Sequence, residues 1–380
     1  MKVAYCKELI NPEFPCHMEG YADRISNELH DNLEVNTLLI ESNKTIIFHV
    51  LDVILIEKNL SDKIKGILSN KFSIPEDQII IEATHTHSGP KVSTFLYPDI
   101  TPSEEYLQVI IAAIVKNTEY CLEHKKEARA FYGTCEVNGF YGNRNNRSLP
   151  FNNEVYTLQF RNLSDKPLVS FINISCHPTV LSPEDRRISS DLIGVLRAEY
   201  MRLTEIPAII VNGECGDVST RFYRNGQDFA EVERVGKGIT ELLIQTSNFK
   251  EVSLENLSVL SYTLNIDHEL NNDKILDESA RKLLTLMRMS KDNPTAYVYE
   301  ADGFRFVTIP GEIVYNLGKV LRSKDEKPMF INAYTNEFNG YAVDKEQYGK
   351  YYESIVSNYP IGKADEMIEG VIKLYRSIIN

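Results

Sequence analysis

The most informative stretch of this sequence reads Gln78-Ile79-Ile80-Ile81-Glu82-Ala83-Thr84-His85-Thr86-His87-Ser88-Gly89-Pro90. Its first residues are rich in β-branched side chains and predict a short buried strand, and a helical pattern over Ser61–Phe72 precedes it. Strand-like and helix-like segments alternate in the same manner along the rest of the chain. The pattern therefore predicts an α/β (α+β mixed) fold of mixed β-sheets with packed helices.

The remaining elements follow from the same periodicities. Further strands are predicted over Val35–Glu41, Thr45–Leu55, Val155–Phe160, Leu168–Ser175, Ile206–Asn212, Gly303–Ile309 and Phe330–Ala333. Helices are predicted from about Thr101 to His124, with Thr101-Pro102-Ser103-Glu104 as a capping box, from Ser189 or Ser190 to Leu203, and over Phe229–Thr246, Leu276–Ser290, Glu312–Arg322 and Ala364–Ile379. No stretch is typical of a long linker, so we expect a single catalytic domain over residues 1–380.

Composition and charge exclude several classes of protein. The chain of 380 residues carries 41 Lys and Arg against 54 Asp and Glu, a net charge of −13, which argues against nucleic-acid binding. Its longest apolar runs, Val50–Ile56 and Val109–Val115, are far shorter than the ~20 residues that span a bilayer. The N-terminus has no signal-peptide pattern, and the 6 cysteines form no CxxC pair, so we expect a cytoplasmic protein with reduced thiols.

Two histidines follow the strand of the opening stretch. His85 and His87 are two residues apart, so in an extended chain their side chains project to the same face, directly before a Gly-Pro turn. Neutral imidazole is a common zinc ligand. A pair of ordinary polar residues at a strand end is the alternative interpretation.

Three more segments end an apolar run with polar residues. Ile174-Ser175-Cys176-His177-Pro178 repeats the strand-then-histidine layout, and Gly213–Arg221 is a glycine-rich loop that carries Asp217 and Ser219. Ile309-Pro310-Gly311-Glu312 places a carboxylate at a strand end. A third strand-end histidine strengthens the metal hypothesis. The other two segments have alternative interpretations: Gly213–Arg221 can be a plain connecting loop, and Glu312 can be a carboxylate that is stabilised by the dipole of the following helix.

Taken in order, these segments resemble the neutral/alkaline (non-lysosomal) ceramidase family. The family signature HTHSGP stands here as His85–Pro90, its strand-end histidine as His177, its GDVS loop as Gly216–Ser219 and its PGE motif as Pro310-Gly311-Glu312. Further matches in the same order are Met18–Ala22, Asn146-Arg147-Ser148, Gly340-Tyr341 and Tyr352-Glu353. The chain is similar to a short form of the family without its secretion signal and its C-terminal immunoglobulin-like domain.

The resemblance implies a set of site residues. The expected ligands of zinc (Zn²⁺) are His85, His177, Glu312 and Tyr341. The residues expected to line the reacting carbonyl are His87, Arg147, Ser219 and Tyr352, and Arg144 competes with Arg147 because Asn143-Arg144 repeats the pattern. The implied reaction is cleavage of an N-acyl amide bond of a lipid-like substrate by zinc-bound water, as in sphingolipid metabolism. Whether Ser219 is a nucleophile or a positioning residue stays open.

Two other functions fit the same residues. One is a zinc hydrolase of a small soluble amide, lactam or ester, which the missing export signal favours. The other is a metal-binding or ligand-binding relative without catalysis, against which the retention of all four expected ligands together with His87 and Ser219 argues.

Overall fold

The structure is a computed structural model in which residues 1–266 and 292–378 are described. Strands and helices alternate along the described residues, and the mixed α/β class is confirmed. The predicted helix Leu276–Ser290 lies outside the described residues, and the single-domain assignment stays a prediction. All 6 cysteines carry free thiols. Within the two described ranges, no helix has both the length and the apolar character needed to cross a membrane.

The helices and strands have the following bounds in the described ranges. The helices are α1 (Lys58–Phe72), α2 (Glu104–Glu123), α3 (Asp191–Thr204), α4 (Phe229–Leu243), α5 (Tyr315–Arg322), α6 (Tyr352–Ile355) and α7 (Lys363–Arg376). The strands are β1 (Lys2–Leu9), β2 (His17–Met18), β3 (Arg24–Ile25), β4 (Glu28–Leu29), β5 (Glu34–Glu41), β6 (Thr45–Leu51), β7 (Ile79–Ala83), β8 (Lys126–Glu127), β9 (Arg129–Glu136), β10 (Gly142–Asn143), β11 (Glu154–Arg161), β12 (Pro167–Ile174), β13 (Arg187–Ile188), β14 (Ala208–Asn212), β15 (Val218–Ser219), β16 (Lys250–Val252), β17 (Ser258–Thr263), β18 (Thr295–Glu300), β19 (Arg305–Thr308), β20 (Glu312–Ile313), β21 (Met329–Asn332) and β22 (Tyr341–Ala342).

Three mixed sheets form the body of the described chain. The first has the strand order β7-β6-β5-β1-β8, the second β14-β12-β11-β9-β16 and the third β17-β18-β19-β21. The predicted strands Val35–Glu41 and Thr45–Leu55 form a hairpin as β5 and β6, with Leu38 opposite Phe48. Each sheet contains one parallel pair, namely β6 with β7, β12 with β14, and β19 with β21. The three pairs therefore bring several strand ends of the same direction toward one region.

An aromatic core joins the three sheets. Phe48 of the first sheet lies 5.1 Å from Phe171 of the second and 5.1 Å from Phe306 of the third, measured between ring centroids. These rings are fully buried. Burying a Phe side chain stabilises a protein by roughly 1.5–3 kcal/mol, so this cluster fixes the mutual position of the sheets.

Several helix starts differ from prediction. Helix α1 begins at Lys58 rather than Ser61, and α5 begins at Tyr315 rather than Glu312, which lies on β20. The first helical residue of α2 is Glu104, and its N-cap is Ser103, whose Oγ accepts a hydrogen bond from the backbone N–H of Tyr106 at 3.2 Å. The predicted capping box, which begins at Thr101, is therefore wrong by two residues. Ser103 rather than Thr101 is the N-cap because its hydroxyl accepts a hydrogen bond from a backbone N–H of the first helical turn.

The carboxyl ends of the parallel strands meet at one edge of the sheets. The N–H of Ala83 at the end of β7 donates to the carbonyl of Tyr334 at 3.2 Å, and the N–H of Ala333 after β21 donates to the carbonyl of Asn212 at 2.9 Å. Segments that follow β7, β12, β14 and β21 consequently lie side by side. Ligands of α/β sheets bind at this kind of edge.

Candidate metal centre

His85 and His87 leave the end of β7 in fixed orientations. His85 has a left-handed backbone (φ 67°), an uncommon conformation for a non-glycine residue that is typical of functional sites. Its Nδ1 lies 2.6 Å from the carbonyl oxygen of Ile54, and Nδ1 of His87 lies 2.9 Å from that of Gly20. A carbonyl oxygen only accepts, so each Nδ1 carries the proton and each Nε2 presents a lone pair.

His177 follows β12 and is held in the same way. Its Nδ1 lies 2.6 Å from the carbonyl oxygen of Cys215, which belongs to the loop after β14. Its ring is 4.9 Å from that of His85, centroid to centroid. The ring nitrogens of His85, His87 and His177 all lie within 4.8 Å of one another. Three histidines predicted to lie at strand ends thus form one cluster.

Glu312 reaches the cluster through a tight backbone arrangement. Its strand β20 pairs in parallel with β22, so that Glu312 stands opposite Tyr341. The preceding Gly311 has φ 134°, and a Cβ there would lie 2.4 Å from the carbonyl oxygen of Gly340. Only glycine permits this approach, which explains the PGE motif physically.

The lone pairs of the cluster face one another. Oε2 of Glu312 lies 2.9 Å from Nε2 of His177 and 3.6 Å from Nε2 of His85, while Nε2 of His85 lies 3.1 Å from that of His87. Burial lowers the pKa of all three imidazoles well below 6.5, which favours their neutral forms. Burial also raises the pKa of the Glu312 carboxyl.

This donor set fits a zinc ion. Neutral imidazole nitrogens and a carboxylate that point at each other repel unless a cation lies between them. Two ligands at about 2.0–2.1 Å from zinc in tetrahedral geometry lie about 3.4 Å apart, which is close to the separations given above. The residues therefore suit a metal ion.

Tyr341 and Arg144 border the cluster. Nη2 of Arg144 donates to the hydroxyl of Tyr341 at 3.1 Å, and its Nη1 lies 3.4 Å from Nε2 of His177. Its Nε donates to Oε1 of the buried Glu353 at 2.7 Å. The Tyr341 hydroxyl also hydrogen-bonds Glu312. This arrangement gives the site a fixed positive charge on one side.

The structure does not bring Arg147 to the histidine cluster. Arg147 is exposed and donates to the backbone carbonyl of Phe222, with its guanidinium 5.0 Å from the ring of Tyr223. It is directed away from the histidines, because Asn146–Ser148 lies on an exposed turn after β10. Arg144, the competitor in the sequence, occupies the place assigned to Arg147.

Ser219 and Tyr352 lie beside the site. Ser219 is buried on β15, and its backbone forms a bridge with His177, while its Oγ accepts from the backbone N–H of Arg221 at 3.2 Å. No hydrogen bond joins its Oγ to a histidine within the described ranges. Tyr352 is half exposed, with its ring edge-on to that of Tyr341 at 6.2 Å. It therefore lies at the solvent side.

Sequence reasoning missed Tyr334. Its ring stacks on that of His85 at 4.1 Å, and its hydroxyl donates to Oε2 of Glu312 at 3.3 Å. It comes two residues after β21, so the strand-end rule that singled out the histidines applied to this tyrosine as well. The sequence showed Glu353 only as part of the Tyr352-Glu353 match and did not indicate that it pairs with Arg144.

Comparisons with known proteins agree with this geometry. A family model described as neutral/alkaline non-lysosomal ceramidase, N-terminal, matches residues 11–206. The fold is similar to that of neutral ceramidase from Pseudomonas aeruginosa, with a TM-score of 0.82 and 16% identity over 99% of this chain and 74% of that chain. It is equally similar to a ceramidase complexed with C2, with a TM-score of 0.82 and 16% identity over 99% of this chain and 75% of that one. At this identity the structural likeness shows the fold.

Proposed function

The chain belongs to the neutral/alkaline non-lysosomal ceramidase family, and on this premise we propose that it is a zinc-dependent hydrolase of the N-acyl amide bond of a ceramide-like lipid. One observation carries the proposal. Two buried imidazoles, one half-buried imidazole and one carboxylate, contributed by the segments after β7 and β12 and by β20, turn their lone pairs toward a single point.

We assign the zinc ligands to four residues: His85, His177, Glu312 and Tyr341. A zinc ion bound there supplies a Lewis acid and a water molecule of lowered pKa. The backbone carbonyls of Ile54 and Cys215 keep the two imidazoles in the tautomer that leaves Nε2 free.

Arg144 and His87 take the remaining roles at the reacting carbonyl. The guanidinium of Arg144 is held beside the Tyr341 hydroxyl, where it stabilises negative charge that develops on the carbonyl oxygen. The amide nitrogen must be protonated before it leaves, since an amide anion is a poor leaving group. Nε2 of His87 faces the cluster and lacks a proton in the neutral ring, so it takes the proton that the attacking water loses and passes it to this nitrogen as the carbon–nitrogen bond breaks.

Tyr352 and Ser219 bind the substrate in this proposal. The Tyr352 side chain lies where the site meets solvent, in reach of an entering acyl amide. Ser219 acts as a positioning residue, because its Oγ already accepts a backbone hydrogen bond and no histidine of the described ranges contacts it. We also place the protein in the cytoplasm, on the sequence argument alone.

The proposal is tested with metal-depleted protein. Chelator treatment should abolish hydrolysis of fluorescent acyl-sphingosines, and addition of one equivalent of zinc should restore it. Short-chain acyl amides, lactams and esters assayed in parallel separate a lipid hydrolase from a hydrolase of small soluble amides. Full activity without metal would overturn the zinc assignment, and activity confined to the small substrates would overturn the lipid assignment.

A further inference from the structure

A second polar cluster lies at the end of the aromatic core. Glu82, Asn173 and Asn332 come two residues after Ile80, Phe171 and Phe330 on β7, β12 and β21, so each side chain shares the core-facing side of its strand. All three are fully buried. The cluster contains one residue from each of the three sheets.

Three oxygens of this cluster accept no hydrogen bond from the described part of the chain. Nδ2 of Asn173 donates to the carbonyl of Ile331 at 2.8 Å, and Nδ2 of Asn332 donates to Oε2 of Glu82 at 2.8 Å. These donations fix the amide orientations, because only the NH₂ group can donate. Oδ1 of Asn173, Oδ1 of Asn332 and Oε1 of Glu82 are left without a donor among the residues that the structure describes.

Two more buried hydroxyls follow the cluster residues along their strands. Thr84 and Ser175 are each two residues beyond Glu82 and Asn173, and their oxygens are also buried without a partner in the described ranges. Gly213 lacks the Cβ that would crowd two of these residues, since a Cβ there would lie 2.8 Å from Oγ of Ser175 and 2.9 Å from Oδ1 of Asn173.

Glu82 has no counter-charge among the described residues. Some other buried carboxylates pair with arginine, as Glu214 does with Arg322 at 2.9 Å and Asp52 with Arg197 at 2.7 Å. Among the described residues no cationic group lies within salt-bridge distance of Glu82, which contacts only an amide. A buried, unpaired carboxylate must take up a proton or a cation.

We propose that Glu82, Asn173 and Asn332, together with the hydroxyls of Thr84 and Ser175, bind a hard cation, calcium or sodium, at a site separate from the zinc centre. All the donors are oxygens, which calcium and other hard cations prefer and which do not attract zinc. One carboxylate among neutral oxygens gives a net charge of −1, so binding is weaker than in sites with several carboxylates.

The site stabilises the strand ends that carry the zinc ligands. Thr84 directly precedes His85, and Ser175 lies two residues before His177. A cation that draws these hydroxyls together restrains both histidines. A cation that binds the folded chain and not the unfolded chain raises the unfolding temperature.

The test uses the zinc-loaded full chain in scanning calorimetry. Calcium chloride or sodium chloride is titrated at constant ionic strength with choline chloride, and a saturable rise of the midpoint of about 3 °C is expected at a hundredfold excess over Kd. Glu82→Gln, which removes the charge, and Gly213→Ala, which fills the space, should both abolish the rise. Glu214→Gln, which alters a buried carboxylate that already has a partner, should keep it.

Zinc content separates this site from the metal centre. Elemental analysis should give one zinc per chain in the wild type and in all three variants, and crystals grown with calcium should show an anomalous peak beside Glu82. The proposal is overturned if neither salt produces a saturable shift, if Glu82→Gln responds like the wild type, or if the electron density beside Glu82 is that of water only.

Discussion

Arg144 and Arg147 offer a direct test of the site, because the structure separates two arginines that the sequence could not. Arg144→Ala removes the guanidinium that donates to Glu353 at 2.7 Å and to the Tyr341 hydroxyl at 3.1 Å. Arg147→Ala removes an exposed side chain that contacts only a backbone carbonyl and one aromatic ring. The second variant is therefore the matched control.

The magnitude follows from what Arg144 leaves behind. Glu353 keeps a single donor, Nδ2 of Asn145 at 2.9 Å, and its buried carboxylate loses its counter-charge. Breaking a buried ion pair costs about 3–5 kcal/mol, and the partial exposure of Arg144 favours the lower figure. With an unfolding entropy of about 2.1 cal/mol/K per residue, a loss of about 3 kcal/mol lowers the melting midpoint by about 4 °C.

The effect on catalysis should be similar in size to the effect on stability. Loss of one donor to a developing oxyanion lowers kcat about 10²–10³-fold. Arg144→Lys keeps the positive charge but lacks the planar guanidinium that contacts both Glu353 and Tyr341. Its kcat should therefore lie between those of the wild type and Arg144→Ala.

The assay is kcat and KM on a fluorescent acyl-sphingosine, with zinc content and calorimetry on the same samples. Arg147→Ala should remain within about 0.5 kcal/mol of the wild type in stability and unchanged in kcat. If Arg147→Ala loses activity while Arg144→Ala retains it, the placement of the guanidinium described above is wrong.

Four further predictions concern the metal ligand, its backbone, the core and a buried histidine. Glu312→Gln should reduce bound zinc by elemental analysis, with activity falling in proportion, and Gly311→Ala should do the same because its Cβ would lie 2.4 Å from the Gly340 carbonyl. Phe306→Ala should lower the free energy of unfolding in urea by about 3–5 kcal/mol. Burial lowers the pKa of His49 to about 3. Below about pH 6.5 the unfolded chain therefore binds a proton at this residue, whereas the folded chain does not. Wild-type stability should then fall by up to about 1.4 kcal/mol per pH unit relative to His49→Gln between pH 6.5 and 3, as measured by denaturation at several pH values.

The strand-end residues were predictable because the end of an apolar run marks the end of a strand. His85, His177 and Glu312 each follow such a run, and strands of the same direction end at one edge of a sheet. The hairpin of β5 and β6 was visible for the same reason, since β-branched runs and a polar turn suffice to define it.

Other features depend on contacts that no local pattern contains. The sequence Asn143-Arg144 and the sequence Asn146-Arg147 look alike, and only the approach of Glu353, 209 positions away from Arg144, determines which guanidinium turns inward. Tyr334 follows β21 as the histidines follow their strands, but only its stacking against His85 distinguishes it from other strand-end residues. The lack of a cationic partner for Glu82 among the described residues was invisible in the sequence, since it depends on side chains that are distant along the chain.

The histidines of the candidate metal centre are held in place chiefly by hydrogen bonds to the main chain. The carbonyls of Ile54, Gly20 and Cys215 hold the three imidazoles, so no side-chain substitution at those positions removes the acceptor. The geometry of the ligands is then a property of the backbone path after β7 and β14. Substitutions that alter this path, above all at glycines with positive φ, should disturb the centre more than changes in the side chains that surround it.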